Sequence, residues 1–341
     1  MRPVTIALAV LSGLGLGACD GTHDDLGLTT SSTTTGSGGA GGGTGAGAGG
    51  APSIAEPDGP TRWTFVNGVV DRDRIALCFL KSPADAADAA SPWPTDGLGF
   101  ARAASIDPPG APVPADGDLE LVLLAGAIGD VGALDCRALA DDPTAVPGLD
   151  VLSLGVLPAE TGTRPRSLLF VPNGCLGGVD HEDANDDLVC GLGYAPDLPT
   201  PGLAVAPISR VKNAERVGLQ AVHASPTGPL DVYVTPVFDG AAPSLMASGI
   251  VSGQAAPFPP FAPFSIADLG GGTGPHLTTH LAGMAMPLDD ATFGDALGRG
   301  GLVNADVANG KNVAFVGVGA QPGLAVGAWW QAFTWVAVRP D

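Results

Sequence analysis

Apolar residues along this chain recur in short alternating runs, not in helical stripes. Trp63-Thr64-Phe65-Val66-Asn67 reads as a strand, Asp71-Arg72-Asp73 as a turn, and Ile75-Ala76-Leu77-Cys78-Phe79 as a second strand with period two. Leu119 to Leu123, Val151 to Leu154 and Ser167 to Val171 continue the pattern, with a polar, Pro- and Ala-rich loop expected over about residues 81–117. Further on, Leu219 to His223, a Ser225-Pro226-Thr227-Gly228 turn and Leu230 to Val234 repeat the opening. Val66 to Ile75 spans nine positions and Val222 to Leu230 spans eight, so two diverged copies are expected. Val313 to Gly317 and a carboxy-terminal run from Trp330 to Val338 complete the strand set. The pattern predicts an all-β protein of two tandem, immunoglobulin-like β-sandwich modules, 60–205 and 206–341.

The first sixty residues follow another logic. After Arg2, the apolar run Val4 to Ala18 is too short to span a hydrocarbon core of about 30 Å. It ends in Leu16-Gly17-Ala18-Cys19, which resembles the lipobox of bacterial lipoproteins: small residues admit the peptidase, and the Cys19 thiol receives diacylglycerol. Residues 1–18 are then a signal peptide, and 19–59 a disordered tether. Its Ser/Thr run and its Gly36 to Gly50 stretch behave as a coil with a reach of roughly 35 Å. The expected address is the cell envelope through a lipid anchor, with the outer membrane or cell surface favoured over the inner membrane.

Composition narrows the function. Gly (52) and Pro (32) make up about a quarter of 341 residues and punctuate the strands. Fifteen basic against 35 acidic residues give a net charge of −20 without a basic stripe, which argues against a nucleic-acid partner. Apart from Cys19, four cysteines remain, which in an exported protein read as two disulfides. Sequence distance favours Cys175–Cys190, whose short loop contributes about 3 kcal/mol, and Cys78–Cys136 follows.

Ala221-Val222-His223-Ala224-Ser225-Pro226 followed by Leu230-Asp231-Val232-Tyr233-Val234 resembles the signature of a bacterial family, domain of unknown function 4397. The close match covers about fourteen residues, and the first copy departs from it. The resemblance implies an exported, sandwich-like protein, and it carries no catalytic residues.

Candidate chemistry is sparse. Asp183, Asn185 and Asp187 have the alternate-oxygen spacing of a calcium loop, but Leu188 stands where an EF-hand needs glycine and Tyr194 where it needs glutamate. An acidic solvated loop pinned by a disulfide is the simpler account. His276 and His280 have zinc-protease spacing without the adjacent Glu. His223 reads as a partner of the turn at Ser225. Gly270 to Gly274 lacks the lysine of a phosphate loop and reads as a flexible loop. Phe258 to Phe264 reads as a Pro-broken loop capping the core, and Trp329, Trp330 and Trp335 as an inter-repeat packing surface. The expected function is non-enzymatic: binding of an extracellular protein or glycan, adhesion, or envelope maintenance. The alternatives are an extracytoplasmic hydrolase whose site forms only in three dimensions, and a calcium-stabilised surface module.

Overall fold

The computed structural model describes residues 59–341 apart from 83–89, 111, 115, 239, 262–264, 266 and 271–273. The signal peptide, Cys19 and the tether as far as residue 58 lie outside the described residues. The rest is all-β, built from four sheets.

The first repeat contains β1 (Arg62–Val66), β2 (Gly68–Val69), β3 (Arg74–Ser82), β4 (Trp93–Gly99), β5 (Ala103–Ile106), β6 (Asp118–Gly126), β7 (Leu149–Leu157), β8 (Ser167–Gly174) and β9 (Gly202–Ile208). One sheet has the order β4-β3-β6-β7, and the other runs β5-β1-β8-β9, with β2 extending the β1 edge of β8. The second repeat contains β10 (Gly218–His223), β11 (Leu230–Thr235), β12 (Ser244–Ile250), β13 (Gln254–Phe261), β14 (His276–Leu281), β15 (Asp289–Thr292), β16 (Asn312–Val318) and β17 (Thr334–Val338). Its sheets are β12-β11-β14-β15 and β13-β10-β16-β17. The two repeats therefore share one topology. In each, the opening strand runs parallel to the seventh main strand, β1 with β8 and β10 with β16. The register aligns Phe65–Phe170 with Ala221–Phe315, which makes Asn67 the counterpart of His223.

The sheets stack in four layers. Trp63, Phe65 and Phe170 meet Leu77, Phe79 and Leu121 inside the first sandwich. Leu219, Phe315 and Trp335 meet Val232, Val234 and Leu277 inside the second. Between the sandwiches, Val66, Leu169, Val171 and Ile208 pack on Val222, Val316, Val336 and Val338. The two middle sheets are thus buried on both faces, which is why β8 and β16 read as nearly continuous apolar runs. Val, Ala, Leu and Ile fill the shared layer, while buried aromatic residues concentrate in the cores of the two sandwiches.

Helix α1 (Cys136–Asp141) starts at Asp135, whose carboxylate accepts from the Ala138 N–H at 2.7 Å. It covers the outside of β3 and β6 through Leu139 and the Cys78–Cys136 disulfide. Helix α2 (Asp186–Val189) is a single turn inside the Cys175–Cys190 loop. Helix α3 (Phe293–Arg299), capped by Thr292, places Phe293, Ala296 and Leu297 on the second core.

Three expectations change, and one feature set aside in the sequence is explained. The supposed loop over 81–117 contains β4 and β5, because edge strands carry polar residues on their solvent side. Phe258 lies on β13, not in a loop; this is an edge strand, where Pro257, Pro259 and Pro260 are tolerated. Trp329 and Trp330 precede β17, so their orientations follow from a loop and not from strand alternation. His276 and His280 lie on strand β14, where four positions separate them by about 13 Å, too far to share one zinc ion.

Candidate functional site

A cleft lies beside the place where equivalent long loops of the two repeats converge. The β8–β9 connection (175–201) and the β16–β17 connection (319–333) both follow the seventh main strand of their repeats. They meet at one end of the stacked sheets. The Gln321 N–H donates to the Leu188 carbonyl at 2.9 Å, and the Gln331 N–H donates to Val70 O at 3.0 Å. Val70, Val189, Tyr194, Ala320 and Trp330 enclose the Cys175–Cys190 disulfide in a small apolar cluster.

Asp71 organises the floor. Its fully buried carboxylate accepts from the Leu176 and Gly177 N–H groups, at 3.0 and 2.8 Å, and from the Arg72 guanidinium at 3.0 Å. Arg72 reaches on to Asp150 at 2.8 Å and to Gly177 O at 2.7 Å. His181 Nδ1 lies 3.2 Å from Asp71, and its ring stacks on Trp329 at 4.8 Å with planes 8° apart. Tyr194 flanks the same indole at 6.1 Å and donates to His181 O at 3.0 Å. Burial, with the Asp71 and Asp186 carboxylates nearby, pushes the Tyr194 phenol up to about 12, so it remains a donor. Above this floor is a cleft of about 530 Å³ lined by Arg72, Asp73, Arg74, Trp329, Trp330 and Gln331.

The acidic loop joins this assembly through His181. Asp183 Oδ1 accepts from the backbone and side-chain N–H groups of Asn185, both at 2.9 Å, and Asp186 Oδ1 accepts from Asp183 N at 2.9 Å. The Asn185 amide therefore offers its N–H, not its oxygen, toward Asp183. Among the described residues, no three His, Cys, Asp or Glu side chains converge as metal ligands. Burial and the neighbouring carboxylates of Asp183, Glu182 and Asp187 push Asp186 above the usual carboxylate range.

His223 sits elsewhere and is structural. Its Nδ1 accepts from the Ser225 N–H at 3.3 Å, and Nε2 faces the carbonyls of Thr227 and Gly228. Burial pushes its pKa down to about 4. Its counterpart Asn67 does the same work, with Oδ1 accepting from the Val69 N–H at 3.0 Å.

A second surface is the outer face of β11, β14 and β15. His276 Nδ1 lies 3.0 Å from Asp290, Thr278 donates to Asp290 at 3.2 Å, and Tyr233 packs on His280 with ring centroids 4.9 Å apart.

Cys175, Cys190 and the acidic loop are neighbours in the sequence, whereas Asp71, Arg72 and Trp329 are joined to them only by the fold. The Asp71-Arg72-Asp73 turn and the length of the two loops were the only local signals. No family model and no curated protein matches the chain. A crystal structure of a candidate cell adhesion protein from Bacteroides eggerthii is similar over 85% of this chain and 98% of that one, at 10% identity and a TM-score of 0.20, a likeness too low to carry an argument.

Proposed function

We propose that this chain is an exported, lipid-anchored, non-catalytic binding protein of the bacterial cell envelope that engages an extracellular protein or glycan at the loop-end cleft. One observation carries the reading: the chain enters the fold at the opposite end from the cleft. Pro60 O accepts from Arg210, whose Nε donates to Ser167 at the start of β8, and Ser167 in turn donates to Pro340 O near the carboxy terminus. From there β1 and β2 carry the chain roughly 23 Å to Val69, next to the cleft. A lipid at Cys19 would hold the entry end toward the membrane and point the cleft away from it.

The lining suits recognition. Asp73 and Arg74 are exposed and offer planar hydrogen-bonding groups beside the Trp329 indole, an arrangement that matches hydroxyl pairs and the C–H face of a sugar or peptide. Asp71, the buried carboxylate, is saturated by main-chain N–H groups and Arg72, which suits a structural part better than proton transfer. The resemblance of 221–234 to an exported family of unknown function belongs to the same reading.

The test is protease shaving of intact cells with a periplasmic control protein, followed by adhesion of the same cells to glycan and matrix coatings. The protein is expected to be lost from intact cells, and Trp329→Ala to reduce adhesion about tenfold or more at unchanged surface level. Full protection until the envelope is opened would overturn the reading.

A further inference from the structure

We propose that the turn joining β14 to β15 binds a soft monovalent metal ion, Cu(I) or Ag(I), through the thioethers of Met284 and Met286 and Nε2 of His280. Met246 is buried in the second core, as expected for an apolar side chain. Met284 and Met286, by contrast, are 61% and 71% exposed, two positions apart on one turn. Exposing two polarizable thioethers two positions apart in one turn forgoes their burial, and soft-metal ligation gives that placement a use.

The base of the turn is held rigidly. Met284 N donates to Leu281 O at 2.9 Å, Ala282 N to Pro229 O at 2.8 Å, and Gly283 N, at φ +78°, to the Asp231 carboxylate at 3.1 Å. His280 is tied to the same turn, with Nδ1 3.1 Å from the Met284 carbonyl. Only a protonated Nδ1 can bond that carbonyl. In the neutral ring Nε2 then carries the lone pair, the tautomer that a backbone carbonyl imposes on metal-binding histidines. Tyr233 packs against the ring from β11 and limits its rotation. Asp231 beneath the turn adds negative charge, which favours any cation there. Its carboxylate accepts from the Gly283 and Gly249 N–H groups and the Ser248 hydroxyl. Two thioethers and one imidazole are a poor set for calcium or magnesium, which need oxygen, and a good one for a d10 monovalent ion. Cu(I) and Ag(I) share this chemistry, and silver is the redox-inert probe of it.

The experiment is an Ag(I) titration of the full-length protein in detergent, with methionine methyl groups labelled for NMR. One equivalent is expected to shift the methyl signals of Met284 and Met286 and leave that of Met246 in place. The double variant Met284→Leu/Met286→Leu, conservative at exposed positions, is expected to weaken binding about a hundredfold, and His280→Asn about tenfold. Unmoved Met284 and Met286 methyl signals in excess silver would overturn the proposal. So would stoichiometric binding retained by the double variant. A parallel copper titration under reducing conditions, with a chromophoric Cu(I) chelator as competitor, is expected to follow the same order of variants.

Discussion

In the first module the outer sheet β4-β3-β6-β7 is roofed: Ala76, Cys78, Val122 and Leu124 meet Val131, Leu139 and Val146 beneath helix α1. In the second, no helix among the described residues covers the equivalent sheet β12-β11-β14-β15, and Tyr233, His276, Thr278 and His280 occupy the same outer face. The modules have identical strand order, so topology does not decide the difference. It lies in the outward positions, apolar on β3 and β6 and polar or aromatic on β11 and β14. The first module also holds both disulfides, whereas the second has no cysteine at all. One repeat is thus a closed, cross-linked support, and the other presents its side chains to solvent. What they share is the layer between them, where each buries the same sheet.

That shared layer gives the largest expected effect. Val316→Asp would place an unpaired carboxylate between the sandwiches, at a site fully buried in the native state. It is expected to cost about 4 kcal/mol or more and to destabilise both modules together, read as one shifted calorimetric transition. Two separate transitions, with only the second displaced, would show that the layer does not couple the repeats.

Disulfide removal comes next, and both bonds lie in the first module. Replacing Cys78 and Cys136 by alanine opens a loop with a sequence separation of 58, and replacing Cys175 and Cys190 one of 15. The expected losses are about 4 and about 3 kcal/mol. Calorimetry should report both losses as shifts of the same single transition, because the shared layer couples the modules. The shorter loop also holds His181 against Trp329, so its removal should weaken adhesion as well as stability.

The pH dependence should reside in the second module, with two groups of opposite sign. His223 is neutral in the fold, held down to about 4 against an ordinary value of 6.5, so the unfolded chain takes up its proton first. Its contribution is present above pH 6.5 and is lost as pH falls toward 4, by on the order of 3 kcal/mol. His223→Asn, which installs the residue that Asn67 provides in the first repeat, should flatten that part of the stability profile in urea unfolding. An unchanged profile would remove His223 as its source.

Asp289 gives the smallest effect. Burial pushes it up to about 6, helped by Asp290 and opposed by Arg299, and its Oδ2 is buried without a partner among the described residues. A raised carboxylate makes the fold less stable at neutral pH, and that loss is relieved as pH falls from about 6 through 3.8. Asp289→Asn should therefore stabilise by about 1 kcal/mol at pH 7 and have little effect at pH 4. Equal gains at both pH values would point to a contact other than charge.

Much of the architecture was legible locally. Alternation marked β1, β3, β6 and β8, and the spacing after Val66 and Val222 marked the repeat. The continuous apolar runs of β8 and β16 also carried, unread, the signal of sheets buried on both faces. β4, β5, β9, β12, β13 and β15 were not legible because edge strands need few apolar residues to stay paired, and the interior strand β14 because its outward positions are polar. The Asp71 to Trp329 assembly was illegible because its members come from three connections more than a hundred residues apart.

The sequence by itself determined the β period, the two-copy layout, the cysteine framework and the acidic, Gly-rich character of the chain, because each is set by residues close together along it. Only the tertiary structure decided which sheets face each other, which outer face a helix covers, and where Asp71, His181 and Trp329 meet. Side-chain period fixes the faces of a strand but not its partners; those follow from burying complementary surfaces contributed by distant segments.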